Sequence, residues 1–237
     1  MALIGAFTLI ALWEFGKLIQ FPNKIPYLLG AFILYAFTTA LSKNNLLFLV
    51  IIALLCSVKL LYQLFNHKTT KPARFLAKLD LSIRYIILPF AFLCILPFTD
   101  NSYNPTIIIA VLVLIWVNDS FAFLVGKNFG KRKLFESVSP KKTIEGFVGG
   151  WFFSLITAII IFTQVSSLDY TLVNWLIIAS ILTIFGTLGD LTESKFKRQA
   201  NTKDSGSLMP GHGGILDRLD SLFFAVPFVY LYIHYLL

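Results

Sequence analysis

Acidic side chains are scarce in this sequence. It holds twelve Asp and Glu against twenty Lys and Arg, and charged residues together reach only 14%. A soluble domain carries about 25%, so an ordinary water-soluble globule is excluded. Cysteine is nearly absent too. Cys56 and Cys94 are the only two. Both lie inside apolar runs in no CxxC spacing, so neither a disulfide framework nor a thiolate zinc site is expected. The three histidines, His67, His212 and His234, lie far apart in the chain, and zinc held by imidazoles is not expected either. No basic leader or A-x-A site marks the first apolar run as a cleavable signal.

What is abundant is hydrocarbon. Hydrophobic residues make up 57% of the chain, with a mean hydropathy of +0.78. Stretches of about 17–25 apolar residues predict membrane-spanning helices. Eight can be read, at roughly 1–20, 25–41, 46–65, 81–98, 106–126, 147–165, 172–189 and 215–237. Phe, Leu and Ile dominate them without the alternation a β-barrel needs. The expected fold class is therefore all-α, a polytopic integral membrane bundle of about eight transmembrane helices. Pro89 and Pro227 fall inside apolar runs and predict kinks. Neither an internal repeat nor a low-complexity tract is present.

The basic residues then set orientation. If eight helices alternate, every Lys and Arg except Lys43 falls on one side, which the positive-inside rule makes cytoplasmic. The net charge of +8 thus reads as topology and affinity for anionic headgroups, not as a nucleic-acid surface.

Polarity concentrates late in the chain. Gly189-Asp190-Leu191-Thr192-Glu193-Ser194 is followed by Lys197-Arg198, Lys203-Asp204, His212-Gly213-Gly214 and Asp217-Arg218-Leu219-Asp220. Carboxylates at close spacing suit a divalent cation. Lysines, an arginine and glycines before a helix suit phosphates. Asp217 and Asp220 are three apart and share a helix face. Acids also suit a first helical turn on dipole grounds alone. That does not account for Asp190 arriving from the preceding helix. Metal binding is expected from a pair among Asp190, Asp217 and Asp220. Oxygen ligands point to Mg2+, which is held by one or two carboxylates plus substrate phosphates.

Further candidates lie upstream. Asp119, inside the fifth apolar run, is functional by default because a buried charge there is costly. Ser139-Pro140-Lys141-Lys142-Thr143 reads as a phosphate-binding turn, and Lys131–Lys133 as an orientation signal. Glu145 opens the sixth helix, where its charge suits the dipole. Glu14 is expected to pair with Lys17 one turn on.

These residues resemble a known family. Ser194, Lys197-Arg198, Lys203-Asp204, Pro210, His212-Gly213-Gly214, Asp217-Arg218 and Asp220 are similar to the defining motif of the phosphatidate cytidylyltransferases, or CDP-diacylglycerol synthases. Asp119-Ser120 with Ser-Pro-Lys-Lys-Thr-Ile-Glu-Gly resembles a second region of that family, and Trp13-Glu14-Phe15 a third. The resemblance covers residues from about 115 onward well.

It implies an all-helical membrane enzyme making CDP-diacylglycerol and pyrophosphate from CTP and phosphatidate. It implies Mg2+ on Asp190 and Asp217, with K+ alongside. Asp190, Asp217, Asp220, Lys197, Arg198 and Lys203 are then the expected catalytic residues. Asp119, Ser139, Lys141, Lys142, Thr143, Ser194, His212, Gly213, Gly214 and Arg218 are the expected substrate contacts. The expected division is residues 1–98, N-terminal transmembrane helices, and 99–237, a catalytic half carrying the motif at 190–221. Expected partners are CTP, phosphatidate and membrane lipids, with homodimerisation left open and no nucleic acid. The expected location is a bacterial inner (plasma) membrane, active site on the cytoplasmic side. The resemblance also implies one more N-terminal apolar segment, nine helices in all, and that segment is expected to be missing or cut short in this sequence. Three rivals stay open: a CTP-dependent lipid kinase, a transporter and a non-catalytic scaffold.

Overall fold

The computed structural model describes residues 2–39, 41–66, 72–99, 102–165, 168–208 and 213–237. Its helices are α1 (Ala2–Leu18), α2 (Ile25–Thr39), α3 (Lys43–Phe65), α4 (Phe75–Ser82), α5 (Leu88–Ile95), α6 (Thr106–Phe129), α7 (Ile144–Gln164), α8 (Leu172–Gln199) and α9 (Leu216–Leu231). A π-helical turn, Ile83–Ile87, joins α4 to α5 end to end, and a second, Tyr232–Leu236, extends α9. Counting α4 and α5 as one rod, the described residues form the eight helical runs that hydropathy predicts. Five of them, Lys43–Phe65, Thr106–Phe129, Ile144–Gln164, Leu172–Gln199 and Leu216–Leu236, are long and apolar enough to cross a membrane. The protein is a polytopic helical membrane protein.

The π turn has a local cause. Pro89 sits in the first turn of α5, where it lacks an N–H and its ring crowds the carbonyl four residues back. That carbonyl belongs to Tyr85, inside the π turn, whose wider winding relieves the conflict. Pro227 lies within α9, which continues through it.

Two helices depart from the expected bounds in ways that matter. α8 does not stop near residue 189 but runs to Gln199, so Asp190, Glu193, Ser194 and Lys197 occupy successive turns of one rigid helix. Ser139–Thr143 is not a free turn. It forms strand β4, paired antiparallel with β3 (Lys133–Phe135). A smaller hairpin, β1 (Phe98–Thr99) with β2 (Ser102–Tyr103), links α5 to α6.

Consecutive helices α6, α7, α8 and α9 pack most extensively on one another. Small residues set how closely they approach, as expected where lipid supplies no hydrophobic drive between helices. A Cβ on Gly149 would stand 2.7 Å from Val125, and one on Gly150 2.7 Å from the Asn118 carbonyl. A Cβ on Gly189 would stand 2.5 Å from Cβ of Phe224 and 2.7 Å from the Asp220 carbonyl. Gly189 thus draws the acidic segments of α8 and α9 together.

The N-terminal helices meet this bundle through aromatic contacts. Phe15 of α1 lies 5.3 Å from Tyr85 and 5.2 Å from Phe196 of α8, centroid to centroid. Phe90 of α5 lies 4.1 Å from Phe223 of α9. One buried apolar cluster draws on both halves of the chain.

Candidate active site

A cavity of about 480 Å3 lies where α2, α3, α5 and α9 meet, lined by Lys43, His234 and aromatic residues. The larger cavity, about 880 Å3, gathers the polar residues of the second half. Its size falls in the range of small-molecule sites. Asp119 and Ser120 reach it from α6, Lys141, Lys142 and Thr143 from β4, and Asp190, Ser194, Lys197 and Arg198 from α8. Lys203 and Asp204 come from the connector, and Asp217, Arg218 and Asp220 from α9. Trp116, Phe123 and Phe147 add apolar wall.

Within it, two lysines already pair with three of the acids. Asp190 accepts the Lys142 ammonium at 2.5 Å and the Ser194 hydroxyl at 3.2 Å. Lys197 bridges two helices: it pairs with Glu193 one turn back and with Asp217 of α9 at 2.7 Å. Glu193 is fully buried. The Lys197 contact offsets part of the cost of placing a carboxylate there. Asp220, also buried, feels repulsion from Asp190 and Glu193 and attraction from Lys197 and Lys142. Four carboxylates and two ammonium groups from α8, β4 and α9 therefore form one electrostatic unit.

Asp217 has further partners. Its carboxylate accepts from the backbone N–H of Ser205 at 2.9 Å and of Gly214 at 2.7 Å, and from the Ser205 hydroxyl at 2.9 Å. The connector folds back over the start of α9 to reach it. Gly213 turns that corner at φ +83°, a conformation glycine tolerates at no steric cost.

Several expected contacts take other roles. The Gly214 N–H, expected to cradle a phosphate, is donated to Asp217. Ser139 pairs with Phe135 across the hairpin and is not among the cavity-lining residues. Thr143 borders the cavity, but its hydroxyl caps α7 by accepting from Gly146 N–H at 3.1 Å. Arg198 donates to the carbonyls of Val138 and Thr202, tying the hairpin to the connector. Glu145 accepts from the backbone N–H groups of Lys131 and Arg132 and anchors the hairpin's entry. His212 and Pro210 lie outside the described residues.

Glu14 does not pair with Lys17, whose ammonium sits over the Trp13 ring, 3.3 Å from its centroid. Glu14 is fully buried and turns inward, accepting from the backbone N–H groups of Ile215 and Leu216. The unsatisfied N–H groups of a helix start offer a buried carboxylate what a surface lysine cannot. Three participants, Glu14, Glu193 and Ser205, are not among the site residues expected from the sequence. Glu193 carried a signal, its i,i+4 spacing to Lys197. Glu14 and Ser205 did not, because their partners lie far away in the chain.

The donor set is compatible with a hard cation. Among the described residues no three Cys, His, Asp or Glu side chains are grouped to enclose an ion. Asp190 and Asp217 both face the open cavity, and one or two carboxylates suffice where substrate phosphates complete the shell.

Known proteins are similar to this chain. The chain is 49% identical over 130 residues to the phosphatidate cytidylyltransferase of Bacillus subtilis (strain 168), covering 55% of this chain and 48% of that protein. It is 43% identical over 149 residues to the phosphatidate cytidylyltransferase of Staphylococcus saprophyticus, covering 62% and 55%. It is 42% identical over the same length to that of Staphylococcus aureus (strain N315). The matched stretch spans about half the length of these curated relatives. The model of the cytidylyltransferase family matches residues 1–236, and the chain belongs to that family.

Proposed function

We propose that this protein transfers CMP from CTP to phosphatidate, releasing pyrophosphate and forming CDP-diacylglycerol, at the cytoplasmic face of a bacterial inner membrane. The observation that carries the reading is the composition of the larger cavity. One wall is carboxylate and ammonium from α8, α9 and β4; another is Trp116 and Phe123 of α6, apolar side chains that are 65% and 66% exposed. A site of that kind suits one polyanionic substrate and one amphiphile.

The nucleophile is a phosphate oxygen of phosphatidate, anionic at neutral pH, so no strong general base is needed. It forms a bond to the α-phosphorus of CTP. The bond from that phosphorus to the bridging oxygen breaks, and pyrophosphate leaves with the electron pair. The obstacles are repulsion between two anions and charge growing on the leaving group. Preorganised cations lower both. Lys142 and Lys197 are fixed by Asp190, Glu193 and Asp217. They need little reorganisation to meet phosphates. Lys141, Arg198, Lys203 and Arg218 extend the positive wall. Asp190 and Asp217 would hold Mg2+, with Asp220 in support. When bound, the metal neutralises phosphate charge. K+ beside it and a homodimeric assembly belong to the same proposal.

The test is product identification. Purified full-length chain in detergent is incubated with labelled CTP, phosphatidate and Mg2+. CDP-diacylglycerol and pyrophosphate are expected, and chelation of the metal should abolish both. Release of CDP with a phosphorylated lipid would replace the reading with a lipid kinase, and no turnover of CTP would overturn it.

A further inference from the structure

We infer that Glu14, on the first helix, is a positioning residue for the catalytic acids of the last, an inference that rests on the reading above. α9 begins without a cap of its own: Ile215 stands at the N-cap position and has no side-chain acceptor. Glu14 supplies the acceptor from across the protein. Its Oε1 takes the Ile215 N–H at 3.1 Å and its Oε2 the Leu216 N–H at 2.8 Å. Asp217 is the next residue in α9. Fixing these two amides therefore fixes where the Asp217 carboxylate starts.

Two more observations point to the same carboxylate. Ser205 lies between Glu14 and Asp217, its hydroxyl 3.3 Å from Glu14 Oε2 and 2.9 Å from Asp217 Oδ2. Gly206 and Gly214 of the connector both lie against Glu14, and a Cβ on either would collide with the Glu14 oxygens. Two points of the connector thus press on Glu14, and only glycine leaves room at each. The carboxylate is fully buried, so it has no role at a solvent-facing surface. Phe15, beside it in sequence, locks this turn of α1 against Tyr85 and Phe196.

The experiment compares wild type, Glu14→Gln and Gly206→Ala as purified full-length chains. Hydrogen–deuterium exchange is followed over residues 213–219, and turnover is followed against Mg2+. Glu14→Gln keeps the shape but loses the charge and one acceptor. Faster exchange at the start of α9 is expected, with kcat lower by roughly 100-fold, as for a catalytic group displaced by about 1 Å. The Mg2+ concentration for half-maximal rate should rise while KM for phosphatidate holds. Gly206→Ala, which displaces the carboxylate without removing it, should reproduce this pattern, and adding Glu14→Ala to it should cost little more. Unchanged exchange over 213–219 in both variants would overturn the inference. So would a rate loss with an unchanged Mg2+ requirement. If wild type makes no CDP-diacylglycerol while exchange still responds, the enzymatic reading falls and the clamp stands.

Discussion

Lys197 is the side chain on which the charged cluster balances. It joins Glu193 on its own helix to Asp217 on the next, and both it and Glu193 are buried. Removing one partner of a buried pair strands the other. Lys197→Met should therefore destabilise the fold by about 3–5 kcal/mol, read as an earlier thermal transition in detergent. Pairing it with Glu193→Leu removes the stranded charge and should recover most of that loss. Activity should not return, because Asp217 and the phosphates still lack their cation. A double variant as unstable as the single one would show that Glu193 does not depend on Lys197. The i,i+4 spacing carried a signal for this pair, but Glu193 is not among the site residues expected from the sequence. Glu14 was misread for the opposite reason: a lysine one turn away is a plausible neighbour, and only the folded chain brings the start of α9 within reach.

At the scale of elements, the contact between α8 and α9 decides whether their acids face one cavity. Gly189 stands at that contact, where a Cβ would lie 2.5 Å from Cβ of Phe224. Gly189→Ala should push α9 outward and separate Asp190 from Asp217 and Asp220. Overpacking of this kind costs about 1–3 kcal/mol, and turnover should fall further than stability does. Gly5→Ala is the control, since a Cβ there meets nothing within 4 Å; it should leave both unchanged. Equal behaviour of the two variants in a turnover assay and a melt would remove Gly189 from this role. Helix number was readable because lipid demands long apolar runs. The length of α8 was not, because its last turns are polar and are held by pairs such as Asp190–Ser194 and Glu193–Lys197, which hydropathy ignores. The β3–β4 hairpin was hidden in the same way. Ser-Pro-Lys-Lys-Thr has the composition of a loop, and its strand character comes from pairing with β3 and from the Glu145 and Thr143 anchors at its base.

For the whole molecule, the charge distribution predicts an orientation. With eight alternating runs, Lys43 is the lone basic residue opposite the other nineteen. The structure places Lys43 in the first turn of α3, beside Tyr235, its ammonium 5.6 Å from that ring. The larger cavity, by contrast, takes its lysines from α6, β3, β4, α8 and the connector. The two ends of the bundle are chemically unlike, and a sidedness experiment can separate them. Cys56 and Cys94 are free and buried, so they should stay silent toward a membrane-impermeant maleimide. Asn44→Cys and Lys131→Cys place a thiol at exposed positions on opposite sides of the expected topology, and neither touches the charged cluster. In intact cells Asn44→Cys should label and Lys131→Cys should not; after the membrane is opened both should label. Labelling of Lys131→Cys from outside would invert the orientation and put the larger cavity where no CTP is supplied.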